Sequence, residues 1–269
     1  MGVLALAGCG TLNTGSTEAD DGATALASTN LASLSDVVQR NPADAKAYNI
    51  RGTVLGQNGK PKEALADFDK AIGIDPNFAQ AYANRGLVHR QIGNVEAALA
   101  DYTQAIALDA NYAAAYLGRG MAHRQKGDAL AALQDFNKAI AIRPDNAQAY
   151  YNRGLLYQGQ KQYQYAVDDF TTAIGLAQRE AEPLVARGLT YLAMNDFKSA
   201  TADLDDAVQI QPQNLQAWTS RGLAYERLGN SERAVGSYAQ ALSINQNYPS
   251  AKTGFTRVGG KFGQTYQAF

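Results

Sequence analysis

Two histidines and one cysteine are the side chains of this sequence best suited to acid–base, nucleophilic or metal chemistry. His89 and His123 sit in LVHRQIG and MAHRQKG, 34 residues apart, and Cys9 ends an apolar LALAGC run. A zinc or general-base site needs a third ligand or an orienting partner within a few ångströms, and two equivalent positions of a repeat do not supply one. The later counterparts of the histidines are Tyr157, Tyr191 and Tyr225, so both are expected to fill an aromatic packing slot. A lone cysteine builds neither a disulfide nor a thiolate metal site. No GxxxxGK[ST], HExxH or GxSxG occurs, and VGGKFG lacks the strand and spacing of a dinucleotide fingerprint. No catalytic, cofactor-binding or metal residue is therefore assigned, and the expectation is a protein that is not an enzyme.

What must position any functional side chain here is a repeat. Arg-Gly recurs at Arg51, Arg85, Arg119, Arg153, Arg187 and Arg221, always at an interval of 34 residues. Three residues before each arginine stands Tyr48, Tyr82, Tyr116, Tyr150, Leu184 or Trp218. Further on, in the same register, come Ala64, Ala98, Ala132, Ala166, Ala200 and Ala234, then Phe68, Tyr102, Phe136, Phe170, Leu204 and Tyr238, then Ala71, Ala105, Ala139, Ala173, Ala207 and Ala241. In each half of the repeat the marked residues fall at i, i+4 and i+7, one stripe of an α-helix. Glycine removes a side chain where a second helix comes close, and turns such as GQNGK and RQKGD carry a glycine able to end the first helix. Each repeat is predicted to be a helical hairpin.

This pattern resembles the tetratricopeptide repeat, with a large residue at position 4, Gly at 8, an aromatic at 11, Ala at 20, an aromatic at 24, Ala at 27 and often Pro at 32. The resemblance covers residues 45–248 as repeats 45–78, 79–112, 113–146, 147–180, 181–214 and 215–248. Pro76, Pro144 and Pro212 hold position 32, and Ala110, Gln178 and Gln246 replace it elsewhere. The implied fold is all-α, a right-handed superhelical solenoid of antiparallel helix pairs. One hairpin cannot bury both faces, so the ends need caps. Residues 30–44 are expected to cap the N-terminal end, 249–258 the C-terminal end, and 259–269 to form a tail.

The arginine at position 7 stands where the family usually has an aliphatic residue. Sixteen residues after the first five arginines stand Asp67, Asp101, Asp135, Asp169 and Asp203, while the sixth repeat has Ser237. The spacing predicts a ladder of bidentate Arg–Asp pairs, Arg51, Arg85, Arg119, Arg153 and Arg187 with their aspartates, fixing register between hairpins rather than catalysing anything.

The resemblance also implies where a partner would sit, since family members bind extended peptides or helices on the concave surface lined by first helices. Asn84 and Asn152 hold position 6, where a primary amide reads a ligand backbone. Ile50, Gly118, Ala186 and Ser220 interrupt that row. Arg90, Gln91, Arg124 and Gln125, with Tyr151 at position 5 of the fourth repeat, are expected to complete a polar groove with a basic centre, suited to an acidic or carboxylate contact.

The balance of 24 Lys plus Arg against 25 Asp plus Glu gives a net charge of −1, which argues against nucleic acid and against a polybasic membrane surface. Partners are expected to be proteins or peptides, and homo-oligomers are compatible with such an array. No apolar run reaches the roughly 18 residues a membrane span needs. Residues 1–9 resemble the end of a bacterial lipoprotein signal, with Leu6-Ala7-Gly8 before a lipidated Cys9, and 10–29 read as a flexible polar tether. A basic n-region is missing before Cys9, so the true start is expected upstream of Met1. Gly10 is not the Asp that signals inner-membrane retention, which points to the outer membrane facing the periplasm. The leading expectation is a lipid-anchored envelope adaptor for cell-wall hydrolases or secretion and assembly components. The alternative is a soluble cytoplasmic peptide-binding or co-chaperone module.

Overall fold

The computed structural model describes residues 31–267. The lipidation reading at Cys9 and the tether at 10–29 lie outside the described residues. Two compact units divide the chain between Leu108 and Asp109, and every regular element described in either is a helix.

The first unit holds α1 (31–40), α2 (Ala45–Gln57), α3 (Pro61–Ile74), α4 (Ala79–Gln91) and α5 (Val95–Leu108). The second holds α6 (Ala113–Lys126), α7 (Ala129–Ile142), α8 (Ala147–Gly159), α9 (Tyr163–Leu176), α10 (Ala181–Ala193), α11 (Phe197–Ile210), α12 (Leu215–Arg227), α13 (Ser231–Ile244) and α14 (Pro249–Arg257). Consecutive helices pair as α2/α3 and α4/α5 in the first unit, and as α6/α7, α8/α9, α10/α11 and α12/α13 in the second. Within each unit the second helix of a hairpin also packs on the first helix of the next.

Local chemistry starts and stops these helices. Asp44, Asp128, Asn146, Asp196, Asn214 and Asn230 each accept a backbone N–H of the first turn through the side chain, satisfying donors that the helix itself leaves open. The turn inside a hairpin needs one left-handed residue. Glycine supplies it at Gly127 (φ 88°), but Lys161 and Asn195 (φ 61° each) occupy the equivalent place in the fourth and fifth repeats. There the hairpin geometry overrides a backbone preference costing a side-chain-bearing residue about 1 kcal/mol.

Size complementarity holds each hairpin together. The position-20 and position-27 alanines are fully buried, and the position-24 rings of Phe68, Phe136 and Phe170 lie against glycine of the first helix. A Cβ built on Gly154 would meet Phe170 Cε1 at 2.7 Å, well inside van der Waals contact. At the N-terminal end of the first unit, Leu31 of α1 packs on the Leu55, Phe68 and Val88 cluster. At the C-terminal end of the second, Ala251 and Phe255 of α14 join the large cluster around Trp218, Tyr225 and Tyr238.

Candidate functional site

The six arginines lie at the seam of the hairpins. Arg51, Arg85, Arg119, Arg153 and Arg187 each donate from Nε and Nη2 to the two carboxylate oxygens of Asp67, Asp101, Asp135, Asp169 and Asp203, at 2.6 to 2.9 Å. The aspartates are 5% exposed, and the bond to each carboxylate raises the arginine above its ordinary range. The fork thus closes between the two neighbouring helices of one hairpin, so fixing register between hairpins, the role the sequence suggested for it, is not its work. Register between hairpins comes from a different donor. Arg85 Nη1 donates to Asp69 at 2.6 Å, Arg153 Nη1 to Asn137 at 2.6 Å and Arg187 Nη1 to Thr171 at 2.8 Å, all on the preceding second helix. Arg51 reaches Ser35 of α1 in the same way at 3.4 Å. Five of the six guanidinium groups also stack on the position-4 ring, as with Arg153 over Tyr150 at 5.5 Å, while Arg187 has Leu184 at that place.

The sixth repeat solves the same problem by moving a charge. Arg221 is 3% exposed, and Ser237 accepts from its Nη1 at 2.8 Å where the others have aspartate. The carboxylate comes instead from Asp205 of the preceding hairpin, which accepts from Arg221 Nε at 2.5 Å and from the Tyr225 hydroxyl at 2.7 Å. Burial and that carboxylate together push the Tyr225 phenol up.

The groove residues divide into two sets. Asn152 is 1% exposed; its amide donates to the Gln148 carbonyl at 2.8 Å, and its oxygen accepts from Arg124 Nη2 at 3.3 Å. It is an internal link between hairpins, and its expected role on a ligand backbone is withdrawn. Asn84 likewise gives its amide to Asn49 at 3.0 Å and Thr53 at 3.3 Å, tying α4 to α2. Tyr151 is half-buried with its ring 5.9 Å from Phe170, its phenol raised by burial and then by Glu182. Gln91 and Gln125 are exposed at the ends of α4 and α6, and Arg124 is exposed beside Gln125. Arg90 is half-buried with an Nε that has no hydrogen-bond partner among the described residues. His89 and His123 are half-buried in their hairpins, and each Nδ1 lacks such a bond; His123 Nδ1 lies 3.7 Å from Asp128 Oδ2. Among the described residues no group of three or more His, Cys, Asp or Glu gathers to hold a metal, and no helix is long and apolar enough to cross a membrane.

Tetratricopeptide-repeat models match residues 45–78 and 147–179, then 185–252, and a further model of the same repeat matches 86–127 and 120–161. The chain belongs to the tetratricopeptide-repeat family. None of the curated proteins matches it in sequence. Among solved structures it is similar to pilF of Pseudomonas aeruginosa, with a TM-score of 0.72, 19% identity, and coverage of 81% of this chain and 99% of that one. It is similar to YrrB, described as a TPR protein with an unusual peptide-binding site, at TM-score 0.58, 24% identity, 69% and 96% coverage. It is also similar to the APC/C hetero-tetramer Cut9-Hcn1 at TM-score 0.73 and 22% identity, matching 84% of this chain but spanning only 45% of that one. Likeness at such identities shows the fold.

In three repeats of this tetratricopeptide-repeat array, the third, fourth and sixth, position 12 has a function the sequence did not suggest: it reaches forward to the next first helix. Arg124 bonds Asn152, Gln158 donates to Thr190 Oγ1 at 2.8 Å, and Glu226 accepts from Arg257 Nε and Nη2 at 2.5 and 2.7 Å. The Arg257 guanidinium holds the Glu226 carboxyl below its usual range. The readable signal was the change of residue type at one repeat position, with a matching change 28 to 32 residues later.

The exposed stripe of the first helices passes through positions 2, 9 and 13. In the second unit position 9 is apolar throughout, with Met121, Leu155, Leu189 and Leu223 all half-exposed. Around it lie Glu182 and Gln216 at position 2 and Gln125 and Arg227 at position 13, all exposed. A stripe of aliphatic side chains between polar margins suits an amphipathic polypeptide.

Proposed function

We propose that this chain is a non-enzymatic interaction scaffold that binds proteins or peptides on its first-helix face. One observation carries the reading. Positions that build the hairpin recur through the repeats as Arg, Gly, Ala and a large residue, whereas the exposed first-helix positions change from repeat to repeat: Lys46, Gln80, Ala114, Gln148, Glu182 and Gln216 at position 2, and Gln57, Gln91, Gln125, Gly159, Ala193 and Arg227 at position 13. Solvated positions vary without any partner, so the weight falls on the row they flank: Met121, Leu155, Leu189 and Leu223 at position 9 are aliphatic and half-exposed, which a polar margin around a polypeptide ligand explains. Tetratricopeptide repeats serve as interaction modules, and the peptide-binding YrrB and the pilus biogenesis factor PilW are among the similar structures.

The finer reading is an adaptor of the bacterial envelope, lipidated at Cys9 and held by the 10–29 tether at the outer membrane facing the periplasm, where it organises cell-wall hydrolases or secretion and assembly components. The apolar run ending at the sole cysteine, followed at once by a polar segment, supports it. One experiment tests both parts. Native protein and Cys9→Ser are labelled with palmitate, fractionated and used to capture partners, beside Arg124→Ala/Gln125→Ala. The expected result is label and envelope association that vanish with Cys9→Ser, and partners that are lost with the double variant. Unlabelled native protein in the soluble fraction contradicts the anchor; partners unchanged by the double variant contradict the face.

A further inference from the structure

The array ends because α14 is a first helix that cannot receive a second. Counted in register from Pro249, Lys252, Phe255 and Thr256 stand where the six complete repeats have the large residue, the arginine and the glycine. A threonine in place of that glycine blocks the close approach of another helix. The chain instead turns at Gly259 (φ 88°), and the Gly260 amide donates to the Phe255 carbonyl at 2.8 Å. The tail then folds back, with Phe262 and Tyr266 5.1 and 5.3 Å from Phe255 ring to ring. The Lys261 amide donates to the Tyr266 hydroxyl at 2.8 Å, which closes this loop.

Between tail, α13 and α14 lies an open cavity of about 730 Å³, within the size range of small-ligand sites. Leu242, Phe255 and Phe262 give it an apolar lining, with Phe262 packed on Phe255 and 65% exposed. Lys252 and Lys261 also line it, with the primary amides of Gln246, Asn247 and Gln264; Lys252 Nζ donates to Asn247 Oδ1 at 3.0 Å, and among the described residues no aspartate or glutamate contributes. Two cations and three primary amides around an apolar floor, with no carboxylate among the described lining residues, are complementary to an anion attached to an apolar group.

We propose that this terminal pocket binds a carboxylate lying next to an apolar side chain on a partner polypeptide, a site separate from the first-helix face. The carboxylate would come from an acidic side chain or from a chain end, and the inference rests on the reading that the chain binds polypeptides.

The test uses three peptides: Ac-Gly-Ser-Gly-Phe with a free carboxylate, its C-terminal amide, and Ac-Gly-Asp-Phe-Gly amide. Binding is followed by amide chemical shifts of the whole chain and by titration. The free acid, the Asp-Phe peptide or both are expected to shift Phe262 and Gln264, and the uncharged amide is expected not to. Lys252→Gln/Lys261→Gln should weaken binding by about tenfold or more, the scale of one lost charge-assisted hydrogen bond. Phe262→Ala should weaken it too, and Arg124→Ala should leave it unchanged. All three lysine and phenylalanine sites are exposed, so the fold tolerates the substitutions. Equal binding of the uncharged peptide, no binding of any, or full binding by the lysine variant overturns the proposal. Shifts confined to Arg124 and Gln125 overturn it while leaving the first-helix reading in place.

Discussion

Asp205→Ala is expected to lose about 3 kcal/mol of stability, and Ser237→Asp in the same chain is expected to restore most of it. Arg221 is nearly buried over the rings of Trp218 and Tyr225, and removing Asp205 takes away the carboxylate that its Nε donates to, leaving the Ser237 hydroxyl on its Nη1. Breaking a buried ion pair from one side costs about 3–5 kcal/mol, and the lower end applies because the Asp205 side chain is 30% exposed. Tyr225 loses its acceptor as well. Aspartate at 237 returns the charge to the place it occupies in the other five repeats, within reach of the same guanidinium. Because a solenoid responds locally, the loss should be read both as a lower urea midpoint and as faster amide exchange in α11 to α13. A double variant no more stable than Asp205→Ala contradicts the relocated-charge account.

Gly154→Val is expected to cost about 3 kcal/mol. The added Cβ would stand 2.7 Å from Phe170 Cε1 and 2.9 Å from Cδ1, against a ring with no exposed surface. Overpacking of this kind costs about 1–3 kcal/mol, and the branched carbons of valine leave no rotamer that avoids the ring. The helix-propensity gain on leaving glycine, under about 1 kcal/mol, does not compensate. Gly159→Val is the control, since a Cβ there meets nothing within 4 Å. In urea denaturation the first variant should shift the midpoint down and the second should stay near the native value; equal midpoints contradict the close-approach argument. Phe170→Ala combined with Gly154→Val should cost less than the sum of the two single substitutions, because they share one space.

The 34-residue period made the hairpins legible, since the glycine, the alanines and the large residues mark both contacting stripes. The spacing of sixteen from Arg153 to Asp169 was equally plain. The same spacing backward was there to be read. Ser35, Asp69, Thr103, Asn137, Thr171 and Asp205, each a short side chain bearing an oxygen acceptor, stand sixteen residues before the six arginines. Looking only forward made Ser237 appear as a break, when the missing carboxylate had moved to Asp205.

The groove was harder to read. Position 6 lies on the helix flank that the neighbouring hairpin covers, so Asn152 is an exposed amide in a single hairpin and a buried link in a stack. Sequence periodicity gives the two faces of one hairpin but not which of them a neighbour takes. For the same reason periodicity alone does not set the apolar stripe of Met121, Leu155, Leu189 and Leu223 apart from the core, while the structure leaves it half-exposed.

Photo-crosslinking from two positions of the same hairpin tests the central claim most directly. A photoreactive residue at Gln125 lies at the exposed end of the first helix α6, and one at Lys138 lies exposed on the second helix α7. The account predicts a discrete partner adduct from position 125, competed by purified partner, and none from position 138. Adducts from position 138 alone would place the interaction on the second helices and contradict it.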